Sequence, residues 1–284
     1  MKLASTIIIY HPTEQVILNI HSWLSYVNVL YVFDNTETSM PALVTALKKI
    51  PKIKYFNDGK NAGIATRLNE AINYSKNDGY NWLLTMDQDS YFEDGFFNSY
   101  KNCFESKSDD TTIAVFGIDY QKKVVAVDDC FLIYVNHLIT SGSIINVSVA
   151  ETIGCFKEDY FIDFVDIEYC FRAIKMGFRV VKVNNIYLTH NLGEIKYYRS
   201  LLTLKITERV FHSPLRIYYM LRNFLLVKKA YKNEFSADIK YFKKAIYTSI
   251  KNNFLYCNHR YALVKYIIRA WRDYKNNKLG KYLK

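Results

Sequence analysis

The apolar residues of this 284-residue chain follow two alternating rhythms through its first third. Continuous apolar or β-branched runs occupy 4–10 (Ala-Ser-Thr-Ile-Ile-Ile-Tyr), Val29–Phe33, Ile53–Phe56 and Trp82–Met86. Runs of that length bounded by turn-forming residues predict buried strands. Between them, residues 14–26 place Val16, Ile17, Ile20, Trp23 and Leu24 at helical spacing, and 40–49, Asn61–Ser75 and Asp94–Phe104 also read as helices. Strand–helix alternation over roughly the first 105 residues predicts βαβ units in a mostly parallel sheet. Apolar runs without alternation fit strands covered on both faces. Further on, short strands are expected at Ile113–Gly117, Val124–Val127, Phe131–Val135 and Ser143–Val147. A helix is expected from Asp163 to Met176, closed by Gly177, then strands at Arg179–Val183 and Ile186–Thr189. The stretch 199–275 reads as helical and basic.

Half of the residues are hydrophobic, with 25 Tyr and 18 Phe, which excludes a disordered chain. The five cysteines are odd in number and lack CxxC spacing, so they read as reduced, buried side chains in a cytoplasmic protein. The apolar run after Met1 is too short for a signal peptide and is stopped by His11-Pro12. No window approaches the ~20 apolar residues of a membrane span. Charge is unevenly spread. From Lys196 onward there are 21 basic and 4 acidic residues, a net of +17, while the remainder carries 17 basic and 23 acidic, a net of −6.

In parallel α/β sheets ligands sit beyond the carboxyl ends of the strands. The polar clusters at those ends are Tyr10-His11, Asp34-Asn35 and Asp87-Gln88-Asp89. Asp87 and Asp89, two apart after a buried strand, can converge on a hard cation such as Mg²⁺ or Mn²⁺. The plainer alternative is a turn, with Ser90 capping the next helix. Asp166 in Asp163-Phe-Val-Asp166-Ile-Glu168 suits a general base, and Asp163, three residues earlier, would share its helical face. Acidic residues in a first helical turn also simply favour the macrodipole. His190, after a strand, is either a ligand or structural. Asn61-Ala62-Gly63 with Arg67 suits an anion at a helix start, or an ordinary surface turn.

Taken together and in order, these pieces resemble glycosyltransferase family 2, the inverting enzymes of GT-A fold, and particularly its bacterial rhamnosyltransferase-like members. The resemblance rests on Ile9-Tyr10-His11-Pro12, Asp34-Asn35, Asn61-Ala62-Gly63-Ile64-Ala65 with Asn69, Asp87-Gln88-Asp89-Ser90, the block Phe161–Arg172, and His190-Asn191-Leu192-Gly193. It departs at His11, where Asn is commoner. It implies an α/β chain with a Rossmann-like GT-A catalytic domain at 1–225 and a basic helical extension at 226–284. It further implies that Asp166 is the base, with Asp163 as the second candidate, and that Asp87, Asp89 and His190 hold Mg²⁺ or Mn²⁺. Tyr10, Asp34, Asn61, Arg67 and Asp87 would surround the nucleotide. Ser141, Gly142, Asp163, Glu168, Tyr219 and Arg222 would face the sugar or the acceptor. The implied donor is a nucleoside-diphosphate sugar, dTDP-rhamnose by resemblance, and the implied acceptor a polysaccharide or lipid-linked glycan.

The tail places Ile239, Phe242, Ile246, Ile250, Phe254, Leu263, Ile267 and Trp271 among Lys and Arg. That pattern suits a helix lying on the anionic inner face of a membrane, or a subdomain packed on the catalytic domain or on a second copy. Two other functions compete. A sugar-phosphate nucleotidyltransferase would carry an N-terminal glycine-rich loop, but no glycine precedes Gly59. A nucleic-acid-binding protein would use the tail, yet the front is acidic and no binding motif is present, so no nucleic-acid partner is expected.

Overall fold

A computed structural model describes residues 2–93, 95–120, 130–189, 194–199 and 205–283. The alternation read from the sequence is there in full: β1 (Ala4–Ile9), α1 (Gln15–Leu24), β2 (Val29–Asp34), α2 (Pro41–Lys48), β3 (Ile53–Phe56), α3 (Ile64–Asn77), β4 (Trp82–Asp87) and α4 (Phe96–Glu105). There follow β5 (Ile113–Asp119), β6 (Leu132–Tyr134), β7 (Ser143–Asn146), α5 (Val147–Ile153), α6 (Val165–Lys175) and β8 (Arg179–Tyr187). The eight strands form one sheet in the order β3-β2-β1-β4-β7-β5-β8-β6. Neighbours β3, β2, β1 and β4 are parallel, as are β5 and β8, while β7 and β6 run antiparallel to their partners. This is the expected mixed α/β architecture with a mostly parallel centre.

The helices cover the sheet because their apolar residues recur on one side. In α1, Val16, Ile20, Trp23 and Leu24 are buried, and in α4 Phe97, Tyr100, Cys103 and Phe104 are. With Leu30, Val32, Leu84, Phe116 and Ile144 from the strands they make one continuous core. Burying each such side chain is worth about 1.5–3 kcal/mol, which offsets the entropy of ordering the chain.

The chain divides into two compact units, Met1–Glu158 with Val165–His190, and Asp159–Phe164 with Asn191–Lys284. The second holds the hairpin β9 (Glu194–Arg199) and β10 (Ile206–Phe211) and the helices α7 (Pro214–Tyr231), α8 (Ser236–Tyr256) and α9 (Arg260–Lys275). The expected boundary at 225/226 falls inside α7, whereas the units part after His190.

Four expectations need correction. The stretch from 199 is not helical throughout, because Ile206–Phe211 is extended and pairs antiparallel with β9. The tail is two helices rather than one, interrupted where Cys257 turns extended. The strand ending near Val147 stops at Asn146, whose side chain accepts the Val149 N–H at 3.2 Å and so caps α5. Cys103 and Cys130 form a disulfide, so the cysteines are not all free, and the compartment inferred from reduced thiols loses its basis. The proposed strand Val124–Val127 lies outside the described residues.

Gly142, in the turn that leads into β7, is tightly enclosed. Its φ is +76°, and a Cβ there would lie 2.6 Å from Ile118 Cγ2 and 3.0 Å from Leu188 Cδ2. Gly142→Ala combines left-handed strain with overpacking and is expected to cost about 2–4 kcal/mol. Urea denaturation of the variant checks this through a lower midpoint at unchanged slope.

Candidate active site

The register of the parallel strands sets the geometry. Ile9 of β1 stands beside Asp34, the last residue of β2, and Ile8 beside Asp87, the last residue of β4. Strands in a sheet are ~4.8 Å apart, so these two carboxylate-bearing positions flank β1 at roughly 10 Å on a single rim. Tyr10, one residue past β1, is exposed between them. Its backbone is fixed by Gln88, whose Oε1 accepts the Tyr10 N–H at 2.8 Å and whose Nε2 donates to the Tyr10 carbonyl at 3.2 Å. Gln88 carries no charge and was passed over in the sequence, yet it ties the Asp87–Asp89 turn to the β1 loop.

That turn is held from below as well. The Asp87 N–H donates to Ser141 Oγ at 3.2 Å, Ser141 donates to Ser90 Oγ at 2.8 Å, and the Ser90 N–H returns to the Asp87 carbonyl at 3.2 Å. Asp87 and Asp89 themselves stay partly exposed. Tyr91, two residues past Asp89, exchanges backbone hydrogen bonds of 3.1 and 3.0 Å with Thr189. The residue preceding His190 is therefore pinned beside the Asp-x-Asp turn; His190 itself lies outside the described residues. Asp166 stands in the first turn of α6, where its Oδ1 accepts the Ile167 N–H at 2.8 Å. Only Met176–Phe178 separate α6 from β8, so the helix folds back along the strand it packs on, and its first turn points toward the strand's carboxyl end. Among the described residues no three His, Cys, Asp or Glu side chains form a metal-holding group.

Residues 6–130 match the family described as Glycosyl transferase family 2. The chain is a glycosyltransferase whose residues 6–130 are similar to family 2. It is 27% identical over 245 residues to the dTDP-rhamnosyl transferase RfbF of Shigella flexneri, an alignment covering 80% of each chain. In fold it is similar to S. aureus TarS 1-349, solved in complex with UDP-GlcNAc, with a TM-score of 0.56 at 14% identity over 95% of this chain and 81% of that one. It is also similar to GalNAc-T7, solved with UDP, GalNAc and Mn²⁺, with a TM-score of 0.60 at 12% identity over 98% of this chain. It spans 56% of the GalNAc-T7 chain and 49% of a second TarS chain.

In this glycosyltransferase several residues expected to touch ligand are consumed by the protein. The Asp34 carboxylate is 2% exposed; it accepts the Thr36 N–H at 2.8 Å, the Ser39 hydroxyl at 2.8 Å and the Tyr55 hydroxyl at 2.5 Å. Burial, then this hydrogen bond, pushes the Tyr55 phenol up to about 12. Arg67 is 5% exposed, and its fork is spread over Asn35 Oδ1 (2.8 Å), both Glu70 oxygens (3.2 and 2.9 Å), Asp58 (2.5 Å) and the Lys60 carbonyl (3.1 Å). Burial alone would raise the Asp58 carboxyl, but the Arg67 hydrogen bond and charge hold it below its ordinary range. Asn61 closes its own turn, accepting the Gly63 N–H at 3.1 Å. Asn35, unassigned in the sequence reading, is the hub here: its Oδ1 also accepts the Ala62 N–H, and its Nδ2 donates to the Gly63 carbonyl.

The residues expected at the sugar or acceptor are likewise inside. Ser141 is 1% exposed and Gly142 is buried under the sheet rim. Glu168 is 0% exposed and binds Arg172 and Lys157, while Arg172 ties down the carbonyls of Ile153, Gly154 and Cys155. Tyr219 and Arg222 are buried in the second unit. Arg222 donates to the carbonyls of Asp159, Tyr160 and Gly280, and Asn223 to those of Tyr160, Ile162 and Asp163. This pair holds a segment in which Phe161, Asp163 and Phe164 all have positive φ. Asp163 therefore lies ahead of α6 rather than on its face. Burial raises its carboxyl, and Arg216, 3.3 Å away, opposes the shift.

Arg67→Met leaves the buried Asn35 without its charged partner, while Asp58 and Glu70 turn to solvent, and is expected to cost about 1–3 kcal/mol. Thermal denaturation should show the loss, with Arg67→Lys recovering only part of it. Donor affinity of the folded fraction should be unchanged if Arg67 acts only as a scaffold.

Proposed function

We propose that this glycosyltransferase transfers a sugar from a nucleoside-diphosphate donor, dTDP-rhamnose by its relative, onto a hydroxyl of a polysaccharide or lipid-linked glycan, with inversion. One observation carries this reading: Asp87 and the Asp89 turn sit on the strand rim beside Tyr10, and the chain entering His190 is tied to that turn. Three sequence-distant pieces thus share one location in the first unit.

Asp87 and Asp89 present hard carboxylate oxygens of the kind Mg²⁺ or Mn²⁺ prefers, and His190 is the third expected ligand. When bound, the cation supplies positive charge against the diphosphate. Tyr10 and the Asn35–Arg67 scaffold shape the nucleotide side, with Asp34 and Asn61 fixing the loops. Asp166 acts as base. Its carboxylate takes the proton of the acceptor hydroxyl as that oxygen forms a bond to the anomeric carbon. The bond from that carbon to the phosphate oxygen breaks, and the nucleoside diphosphate leaves with the electron pair. Attack opposite the leaving group inverts the centre. We place the enzyme at the cytoplasmic face of a membrane, where a lipid-linked acceptor is reached without a spanning segment. Among the described residues no helix is long and apolar enough to cross a bilayer.

Asp166→Asn is expected to lower turnover at least 10³-fold, at the strong end of general-base effects, with donor affinity nearly intact. Single-turnover assays with binding measured in parallel check this, and retained turnover would move the base elsewhere. Asp89→Ala should abolish the metal-dependent part of nucleoside-diphosphate binding. In a thermal-shift screen over UDP, dTDP and GDP with Mn²⁺, Mg²⁺ or chelator, an equal response with and without metal would refute the metal role.

A further inference from the structure

Helix α9 has apolar residues on two opposite sides, and only one is covered. Leu263 and Ala270 point inward at 2% and 0% exposure. Tyr261, Val264, Ile268 and Trp271 recur at intervals of three and four, so they line one stripe of the helix. They are 86%, 43%, 62% and 49% exposed. The face expected from sequence to meet lipid divides: Ile239, Phe242, Ile246 and Leu263 are buried within the second unit, whereas Phe254 and Trp271 are exposed. The covered seam and the outward stripe are thus separate features, and the patterning read in the sequence is mainly the former.

Charge decides what the outward stripe fits. Residues Arg260, Lys265, Arg272 and Lys275 on α9 are exposed, and the Lys275 ammonium lies 5.0 Å from the Trp271 ring. The helix has a single acidic residue, Asp273, which is 3% exposed and turned inward onto Tyr218 (2.9 Å) and Arg269 (2.8 Å). The outward face therefore bears cations and no carboxylate. On α8, Tyr241, Tyr247, Phe254 and Leu255 are also exposed, interspersed with Lys240, Lys244 and Lys251. A two-fold contact between copies would set these cations against each other, because an isologous interface pairs a patch with itself. A surface of anionic headgroups matches both the charge and the Trp–Tyr–aliphatic mixture.

We propose that the outward face of α9, centred on Ile268 and Trp271, seats the protein on an anionic lipid surface. The inference rests on the proposed lipid-linked acceptor only for its purpose; its test reads binding and not turnover. Trp23 and Trp82 are 0% and 4% exposed, so Trp271 is the tryptophan that reports solvent and lipid. The full chain should float with phosphatidylglycerol-containing vesicles and much less with pure phosphatidylcholine, with a blue shift in emission that Trp271→Phe removes while flotation persists. Ile268→Glu with Trp271→Glu, and separately Lys265→Glu with Arg272→Glu, should each weaken partitioning about tenfold or more while the melting temperature is kept. Flotation indifferent to lipid charge or to both variant pairs would overturn the proposal. So would a dimer in sedimentation equilibrium that the same substitutions dissolve, which would assign the face to a second copy. If the vesicle result holds while Asp166→Asn stays active, the catalytic reading fails and the lipid surface stands.

Discussion

Parallel strands that end in register leave a row of backbone groups and side chains at one rim, and each buried polar group there must find a partner. In this glycosyltransferase β2, β1 and β4 terminate together, with Asp34 and Asp87 beside neighbouring residues of β1. The consequences run outward from that constraint. Asn35 and Arg67 satisfy the β2 side, Gln88 locks the β1 loop, and Ser141 with Ser90 supports the β4 turn. Breaking one member leaves several others buried and unpaired, which costs more than the contact itself contributed.

The same accounting explains why so many polar residues near the site face inward. A carboxylate such as Glu168 or a guanidinium such as Arg222 is tolerated at 0% exposure only when its hydrogen bonds are filled. Arg172 and Arg222 spend their forks on backbone carbonyls of loops that no regular element would otherwise hold. Three left-handed residues around Asp163, each costing about 1–2 kcal/mol, persist because Asn223 and Arg222 grip the carbonyls on either side. These loops can then be irregular without being loose.

The second unit obeys a different logic. Its helices are basic throughout, yet their buried seam is ordinary: Ile239, Phe242, Ile246, Leu263 and Ala270 make the internal contacts. Apart from the buried Arg222 of α7, the cations of these helices lie largely at the surface, where solvation is cheapest. Tyr261 and Trp271 remain exposed among them, at 86% and 49%.

The sequence by itself determined the strands and helices from β1 to α4, since each apolar run or helical stripe there must be buried and its period identifies the element. It also carried the resemblance to family 2 glycosyltransferases, because Asp87-Gln88-Asp89-Ser90 and Asn61-Ala62-Gly63 keep both residue type and order within the matched stretch. It misjudged Ile206–Phe211, where an antiparallel pairing with β9 makes a strand of a segment with no two-residue period of its own. Only the tertiary structure decided which of the polar residues are buried among protein partners. Asp34, Arg67, Glu168 and Arg222 look like contacts in one dimension. Whether a charged group faces solvent depends on partners as distant as Asn35 from Arg67 or Gly280 from Arg222, and no local pattern encodes those distances.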